Sequence, residues 1–132
     1  MCTRMPKKLL KTNLGDDQED LSYIAGLFDG EGCVSCVQRP TQRKDRNGKI
    51  YNQWYIRAEI AMTDEDTIHW IHQTLNMGWS GPKRYHSKPH YKPQWRWACG
   101  YRDVLSLAKL LLPYSKTKKQ KLQEVVNHYE SR

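Results

Sequence analysis

Leu21-Ser22-Tyr23-Ile24-Ala25-Gly26-Leu27-Phe28-Asp29-Gly30-Glu31-Gly32 is the stretch on which the reading of this chain turns. Upstream, Asp16 and Asp17 supply a polar cap, and Glu19 and Asp20 suit the positive end of a helix running from about Asp17 to Gly30. That helix is apolar on nearly every side until the chain turns acidic. Gly26 and Gly30 lie four apart, so they share one face and leave it bare of side chains. Each glycine costs a soluble helix about 1 kcal/mol against alanine. Two readings fit: a packed core helix with a C-cap at Gly30 or Gly32, or a helix that lets another backbone come very close.

Asp29 and Glu31 sit where this helix stops, between glycines. Anions at a helix C-terminus oppose the macrodipole, so something positive is expected to meet them. Hard cations want carboxylate and carbonyl oxygens, and Mg²⁺ uses one or two carboxylates together with waters and substrate phosphate.

The rest of the composition points the same way. A chain of 132 residues makes one domain, with a net charge of +8, a pI near 9.4 and a mean hydropathy of −0.89. Asp16, Asp17, Glu19, Asp20, Asp29 and Glu31 concentrate acidity in the first helix, so the remainder is more basic than the sum suggests. An anionic partner follows, with nucleic acid the commonest. No apolar run reaches the length of a membrane span, and no secretory signal is visible. Cys2, Cys33, Cys36 and Cys99 lack the density of a disulfide framework, so a reducing intracellular compartment is expected. Cys33 and Cys36 resemble half a zinc site, but three residues apart on a strand they face opposite ways.

Residues 1–15, with Arg4, Lys7, Lys8 and Lys11, form a basic lead-in, flexible or in contact with a nucleic-acid backbone; residues 16–132 form the domain. Cys33 to Arg39 alternates as a strand, with Val34 and Cys36 on one side and Ser35, Val37 and Arg39 on the other. Pro40 to Lys49 is a polar hairpin tip with Asn47-Gly48 as its turn. Tyr51 to Met62 is a strand with Ile56, Ala58, Ile60 and Met62 on one face, and Tyr55, Arg57, Glu59 and Ala61 on the other. Thr63 and Asp66 have capping-box spacing before a helix striped by Ile68, Ile71, His72 and Leu75. His69 and His72 read as helix-surface histidines. Two more strands are expected between Gly78 and Gly100; Trp95 and Trp97 share a face that favours core packing. A helix from Val104 to Leu112 ends at Pro113, and a last one carries Leu122, Val125, Val126 and Tyr129. Between them Lys116, Lys118, Lys119 and Lys121 form a solvated face, a phosphate contact or a charge beside a metal site.

Ile24 to Gly32, Ile-Ala-Gly-Leu-Phe-Asp-Gly-Glu-Gly, closely resembles the signature of the LAGLIDADG homing endonucleases at all nine positions. The resemblance extends over roughly residues 17 to 130. It implies an α+β fold of order αββαββα(α), with a curved four-stranded antiparallel sheet and helices on one face. It implies Glu31 as the catalytic carboxylate and metal ligand, the Gly30 carbonyl as a further metal contact, and Mg²⁺ or Mn²⁺ as cofactor. One signature in the chain implies a homodimer, with Ala25, Gly26 and Gly30 allowing the helices to cross closely, and a near-palindromic double-stranded DNA site. By spacing from Pro113 the family's lysine falls on Lys118, with Lys116 second. The family's water-ordering polar residue, often glutamine, falls at Thr63-Asp64, so Asp64 takes that place as a departure from the pattern. Ser35, Val37, Arg39, Arg43, Tyr55, Arg57, Glu59, Lys83, Tyr85 and Lys116 would face DNA, with arginines reading guanine and Glu59 accepting from cytosine.

The implied function is metal-dependent hydrolysis of both DNA strands. Two other readings compete. A maturase, RNA-splicing helper or DNA-binding regulator would use the same fold without needing Glu31. A histidine-based nuclease would use His86 or His90.

Overall fold

Apolar and polar residues alternate along 52–62, and the structure resolves that alternation into a buried and an open face. In the computed structural model, residues 14–41, 43–83 and 92–131 are described. They form α1 (Leu14–Glu31), β1 (Gly32–Pro40), β2 (Asn52–Met62), α2 (Glu65–Leu75), β3 (Trp79–Lys83), β4 (Gln94–Gly100), α3 (Arg102–Leu111) and α4 (Lys119–Glu130). The element order is the expected one. The strands pair antiparallel in the order β1-β2-β4-β3, giving an α+β fold.

Register aligns the apolar residues across strands: Val34 pairs with Ala58, Ala58 with Cys99, and Ile60 with Trp97. All of these are buried, in one cluster with Ile24 and Phe28 of α1, Ile68 and Ile71 of α2, Val104, Leu107 and Leu111 of α3, and Leu122 and Val125 of α4. Each such side chain contributes about 1.5–3 kcal/mol on burial, so this face carries most of the stability. Trp97 is fully enclosed and its indole N–H donates to the Met77 carbonyl at 2.9 Å, while Trp95 packs beside it half-buried. Core packing of the pair is therefore as expected. Cys33 and Cys36 stand on opposite faces of β1. No helix among the described residues is long and apolar enough to cross a membrane.

Several local expectations need correction. α1 begins at Leu14, so Asp16 and Asp17 occupy its first turn rather than its cap, and the helix starts inside the basic lead-in. It also continues through Glu31. The capping box at Thr63 does not form. Asp64 is the N-cap of α2, and its carboxylate instead accepts from the Thr67 hydroxyl. His69 and His72 are half-buried rather than free on the helix surface. Both reach Ser80 on β3, with Nδ1 of His72 at 2.9 Å and Nδ1 of His69 at 3.3 Å from its hydroxyl. The hairpin turn at Asn47-Gly48 is as expected, with Gly48 at φ 77°, and the Asp45 carboxylate accepts from the N–H groups of Asn47 and Lys49.

Candidate functional site

The C-terminus of α1 passes directly into β1, because Gly32 sits against the Phe28 ring where a Cβ would overlap it. That tight exit leaves Glu31 exposed as the last helical residue. No hydrogen bond or ion pair engages its carboxylate among the described residues.

Asp29 behaves differently, and the sequence did not separate the two. Its carboxylate accepts from the backbone N–H of Lys116 at 2.7 Å and of Lys118 at 3.2 Å. Its carbonyl accepts from the Thr117 hydroxyl at 3.0 Å and from Lys118 Nζ at 3.1 Å. α4 has Lys118 as its N-cap and no side-chain cap hydrogen bond of its own. Asp29 therefore supplies, from another helix, the acceptor that the start of α4 lacks. The anion that opposes the dipole of α1 is answered by the positive end of α4. Burial acts to raise the Asp29 carboxyl, but hydrogen bonds led by the Lys116 and Lys118 N–H groups together outweigh it and hold the pKa below the ordinary carboxylate value. Asp29 is thus occupied, and Glu31 alone of the pair has no hydrogen-bond or ion-pair partner among the described residues.

The same clamp brings Lys118 to this corner. Its half-buried ammonium is fixed on the Asp29 carbonyl, two residues before Glu31, whereas Lys116 contributes its backbone N–H and has an exposed side chain. Asp64 is at this end too: Gly32 pairs with Ile60, so the chain just before β1 and the chain just after β2 emerge together.

Along α1, Gly26 and Gly30 are exposed, and a Cβ on either would meet nothing within 4 Å. Among the described residues nothing requires glycine there. Ala25 is a correction: it is fully buried in the protomer's own core and has no surface to offer a second chain.

The sheet face away from the helices carries Ser35, Val37 and Arg39 of β1, Tyr55, Arg57 and Glu59 of β2, and Lys83 of β3. The Arg39 guanidinium lies over the Tyr55 ring at 4.2 Å. Arg43 is exposed in the β1–β2 connection. Tyr85, His86 and His90 lie outside the described residues. Glu59 is the hub of this face. It pairs with Arg57 at 3.1 Å, with Lys83 at 3.2 Å and with Arg96 at 3.7 Å. Burial acts to raise its carboxyl, and hydrogen bonds from Lys83 and Arg57 outweigh that and hold it below its ordinary value. Each of its oxygens thus has a cationic partner within the protein.

Arg96 and Trp79 were missed in the sequence. Arg96 had a signal: if Trp95 and Trp97 face the core, the residue between them faces away. Trp79 had none beyond its place in a strand with soft boundaries.

A helix end bearing one free carboxylate and a pinned lysine thus adjoins a basic sheet face. Compared with solved structures, the chain superposes on the homing endonuclease I-CvuI in complex with the I-CreI target, with a TM-score of 0.66 and 18% identity over 85% of this chain and 66% of that one. The fold is that of the homing endonucleases. A second such neighbour is the archaeal intron-encoded homing endonuclease I-Vdi141I complexed with DNA, with a TM-score of 0.60, 14% identity and coverage of 83% of this chain and 65% of that one. A third is the LAGLIDADG homing endonuclease I-SmaMI bound to cleaved DNA, with a TM-score of 0.58, 12% identity and coverage of 82% of this chain and 35% of that one. The chain thus spans just under two thirds of the first two homing endonucleases and about a third of the last. The sequence matches no protein-family model and no curated protein.

Proposed function

We propose that this protein is a DNA endonuclease of the LAGLIDADG type that cleaves both strands of a near-palindromic site as a homodimer. The observation that carries the reading is the corner at the end of α1. There Glu31 is unpaired among the described residues while Lys118 is fastened two residues away, beside a face bearing Arg39, Arg57, Lys83 and Arg96. The structures of I-CvuI and I-Vdi141I, which share this fold, are complexes with DNA, which supports the choice of partner.

The donor set fits a hard divalent ion, Mg²⁺ or Mn²⁺. One exposed carboxylate and the Gly30 carbonyl leave the remaining positions to water and phosphate, as Mg²⁺ prefers. Among the described residues no three acidic, histidine or cysteine side chains cluster, so a second carboxylate would come from the partner's Glu31. A divalent ion held there supplies Lewis acidity and eases deprotonation of water. The Lys118 ammonium offsets charge developing on the scissile phosphate. In this reading Asp64, whose carboxylate accepts from the Thr67 hydroxyl, orients the attacking water from the end of β2. The bare stripe of Gly26 and Gly30 lets the same helix of a second copy approach, which brings the two carboxylates together. The setting is intracellular, wherever the target genome lies.

The test is selection of cleaved duplexes from a random library with Mg²⁺, followed by Glu31→Gln on the selected site. The variant is expected to bind as the parent does and to lose cleavage of both strands. Loss of binding would make Glu31 structural and overturn the assignment. Sequence-selective binding without any cleavage by the parent would favour the maturase or DNA-binding reading instead.

A further inference from the structure

His69 and His72, one turn apart on α2, aim the same ring nitrogen at one oxygen. Ser80 faces the helices, since it pairs with the buried Trp97 across β3 and β4. Its hydroxyl lies 2.9 Å from His72 Nδ1 and 3.3 Å from His69 Nδ1. A hydroxyl carries a single proton, so it donates to one of these nitrogens and not to both. On the far side of the His69 ring, Nε2 stands 3.2 Å from a carboxylate oxygen of Glu65, one turn earlier. An ionised carboxylate only accepts, so it holds a proton on Nε2 and leaves His69 Nδ1 as a bare lone pair. The Ser80 proton then goes to His69, and His72 donates its own Nδ1 proton back to Ser80. Moving that last proton to Nε2 of His72 leaves two imidazole lone pairs and a hydroxyl oxygen converging on one point.

This is a donor set for a borderline transition ion. Imidazole nitrogen suits Zn²⁺, Ni²⁺ and Cu²⁺, whereas Mg²⁺ takes oxygen. A histidine that ligates zinc almost always passes its other N–H to a carboxylate, carbonyl or water, which orients the ring and raises its basicity; Glu65 holds that place for His69. The Trp95 ring backs His69, with centroids 6.0 Å apart. Among the described residues no three acidic, histidine or cysteine side chains group to hold a metal, so the Ser80 hydroxyl and water complete the four positions zinc prefers. Water reaches the place, because the His69 and Glu65 side chains are 45% and 48% exposed. Glu31 is far from it. Gly32, Ile60, Trp97 and Ser80 form one row across the sheet, with Gly32 and Ser80 on opposite edge strands, roughly 14 Å apart at about 4.8 Å per strand.

We propose that His69, His72 and Ser80 form a metal site for Zn²⁺ or a like transition ion, one that staples α2 to the edge strand β3. Glu65 is its positioning residue. The site is separate from the corner at Glu31 and does not rest on the endonuclease reading.

The experiment is calorimetric titration of the metal-stripped full chain with Zn²⁺, beside thermal melts and nitrogen NMR of the imidazoles. The parent is expected to take up Zn²⁺ with a shift of the His69 and His72 Nδ1 resonances, and to gain about 10 °C in Tm at Zn²⁺ a hundred times its Kd. His69→Gln and His72→Gln, each first checked for a parent-like melting transition in chelator, lose that uptake. Glu65→Ala leaves both ligands in place and weakens it about 10- to 100-fold. Glu31→Gln leaves it unchanged. Uptake that survives both histidine substitutions would put the ion on other donors, such as the exposed Cys33 thiol, and overturn the inference. Uptake lost in Glu31→Gln would overturn it too, by placing the ion at the end of α1. Should the histidine variants not fold, the parent decides alone: Nδ1 resonances unmoved at saturating Zn²⁺ sink the proposal. None of these readouts involves DNA, so the endonuclease reading stands or falls separately.

Discussion

Asp29→Asn and Asp29→Ala dismantle, in two steps, the cap that α1 lends to α4. The parent carboxylate accepts two backbone N–H groups, at 2.7 and 3.2 Å, and faces the positive end of a helix with its charge. An acceptor at a helix N-terminus contributes about 1 kcal/mol, and the charge there a further 0.3–1 kcal/mol or so. Asparagine keeps one acceptor oxygen without the charge, so it is expected to cost about 1 kcal/mol; alanine keeps neither and is expected to cost about 2 kcal/mol. With an unfolding entropy of about 2.1 cal/mol/K per residue, those losses lower Tm by roughly 4 and 7 °C. Urea titrations of parent and variants at pH 7, 5, 4 and 3 give the pH signature. Because the folded Asp29 pKa is lowered, its contribution is fully present above the unfolded value of 3.8 and is lost as pH falls through the folded value. The gap between parent and Asp29→Asn should be constant from pH 7 to pH 5 and shrink below about pH 4. Equal stability of the parent and Asp29→Ala at pH 7 would refute the cap. So would a gap that closes between pH 7 and pH 5.

Gly32→Ala drives a Cβ into the Phe28 ring and should destabilise by about 1–3 kcal/mol, read as a drop in Tm. Gly26→Ala meets open space and should stabilise the protomer by up to about 1 kcal/mol while weakening self-association in sedimentation; unchanged association would count against the helix-to-helix dimer. Tyr101 holds φ 56° and ψ −120° with an exposed side chain, a conformation glycine adopts freely. Tyr101→Gly is therefore expected to raise stability by about 1 kcal/mol, and a lower Tm would show that the ring contributes more than the backbone strain costs. Burial, aided by the nearby Asp103 charge, pushes the Cys99 thiol up to about 12. In native protein at pH 8 iodoacetamide should modify exposed Cys33 and spare Cys99 until urea is added, as followed by peptide mass spectrometry; equal native rates would contradict the burial.

How much of this was legible in the chain depends on how far apart the interacting residues lie. Alternation at Ile56, Ala58 and Ile60 and the helical stripe at Ile68, Ile71 and Leu75 are local periods, and the structure reproduces them. The signature at Ile24 to Gly32 pointed to the fold because it is contiguous. The division of labour between Asp29 and Glu31 was not readable, since it is decided by backbone N–H groups some ninety positions later. Ala25 misled because a small residue beside glycines reads as part of a bare stripe, whereas the helix turns it inward. The engagement of Glu59 by Arg57, Lys83 and Arg96 depends on the pairing register of three strands, which no single-strand pattern contains.

The alternation that sends Ile56, Ala58 and Ile60 to one side of β2 and Tyr55, Arg57 and Glu59 to the other has a consequence for engineering. Residues that hold the protein together and residues proposed to face DNA occupy separate registers of the same strands. Ser35, Val37, Gln53 and Gln94 can be exchanged in combinatorial libraries without disturbing the hydrophobic layer beneath them. A scaffold partitioned in this way lends itself to retargeting, with Glu59 and its three cations as the one block that must be redesigned together.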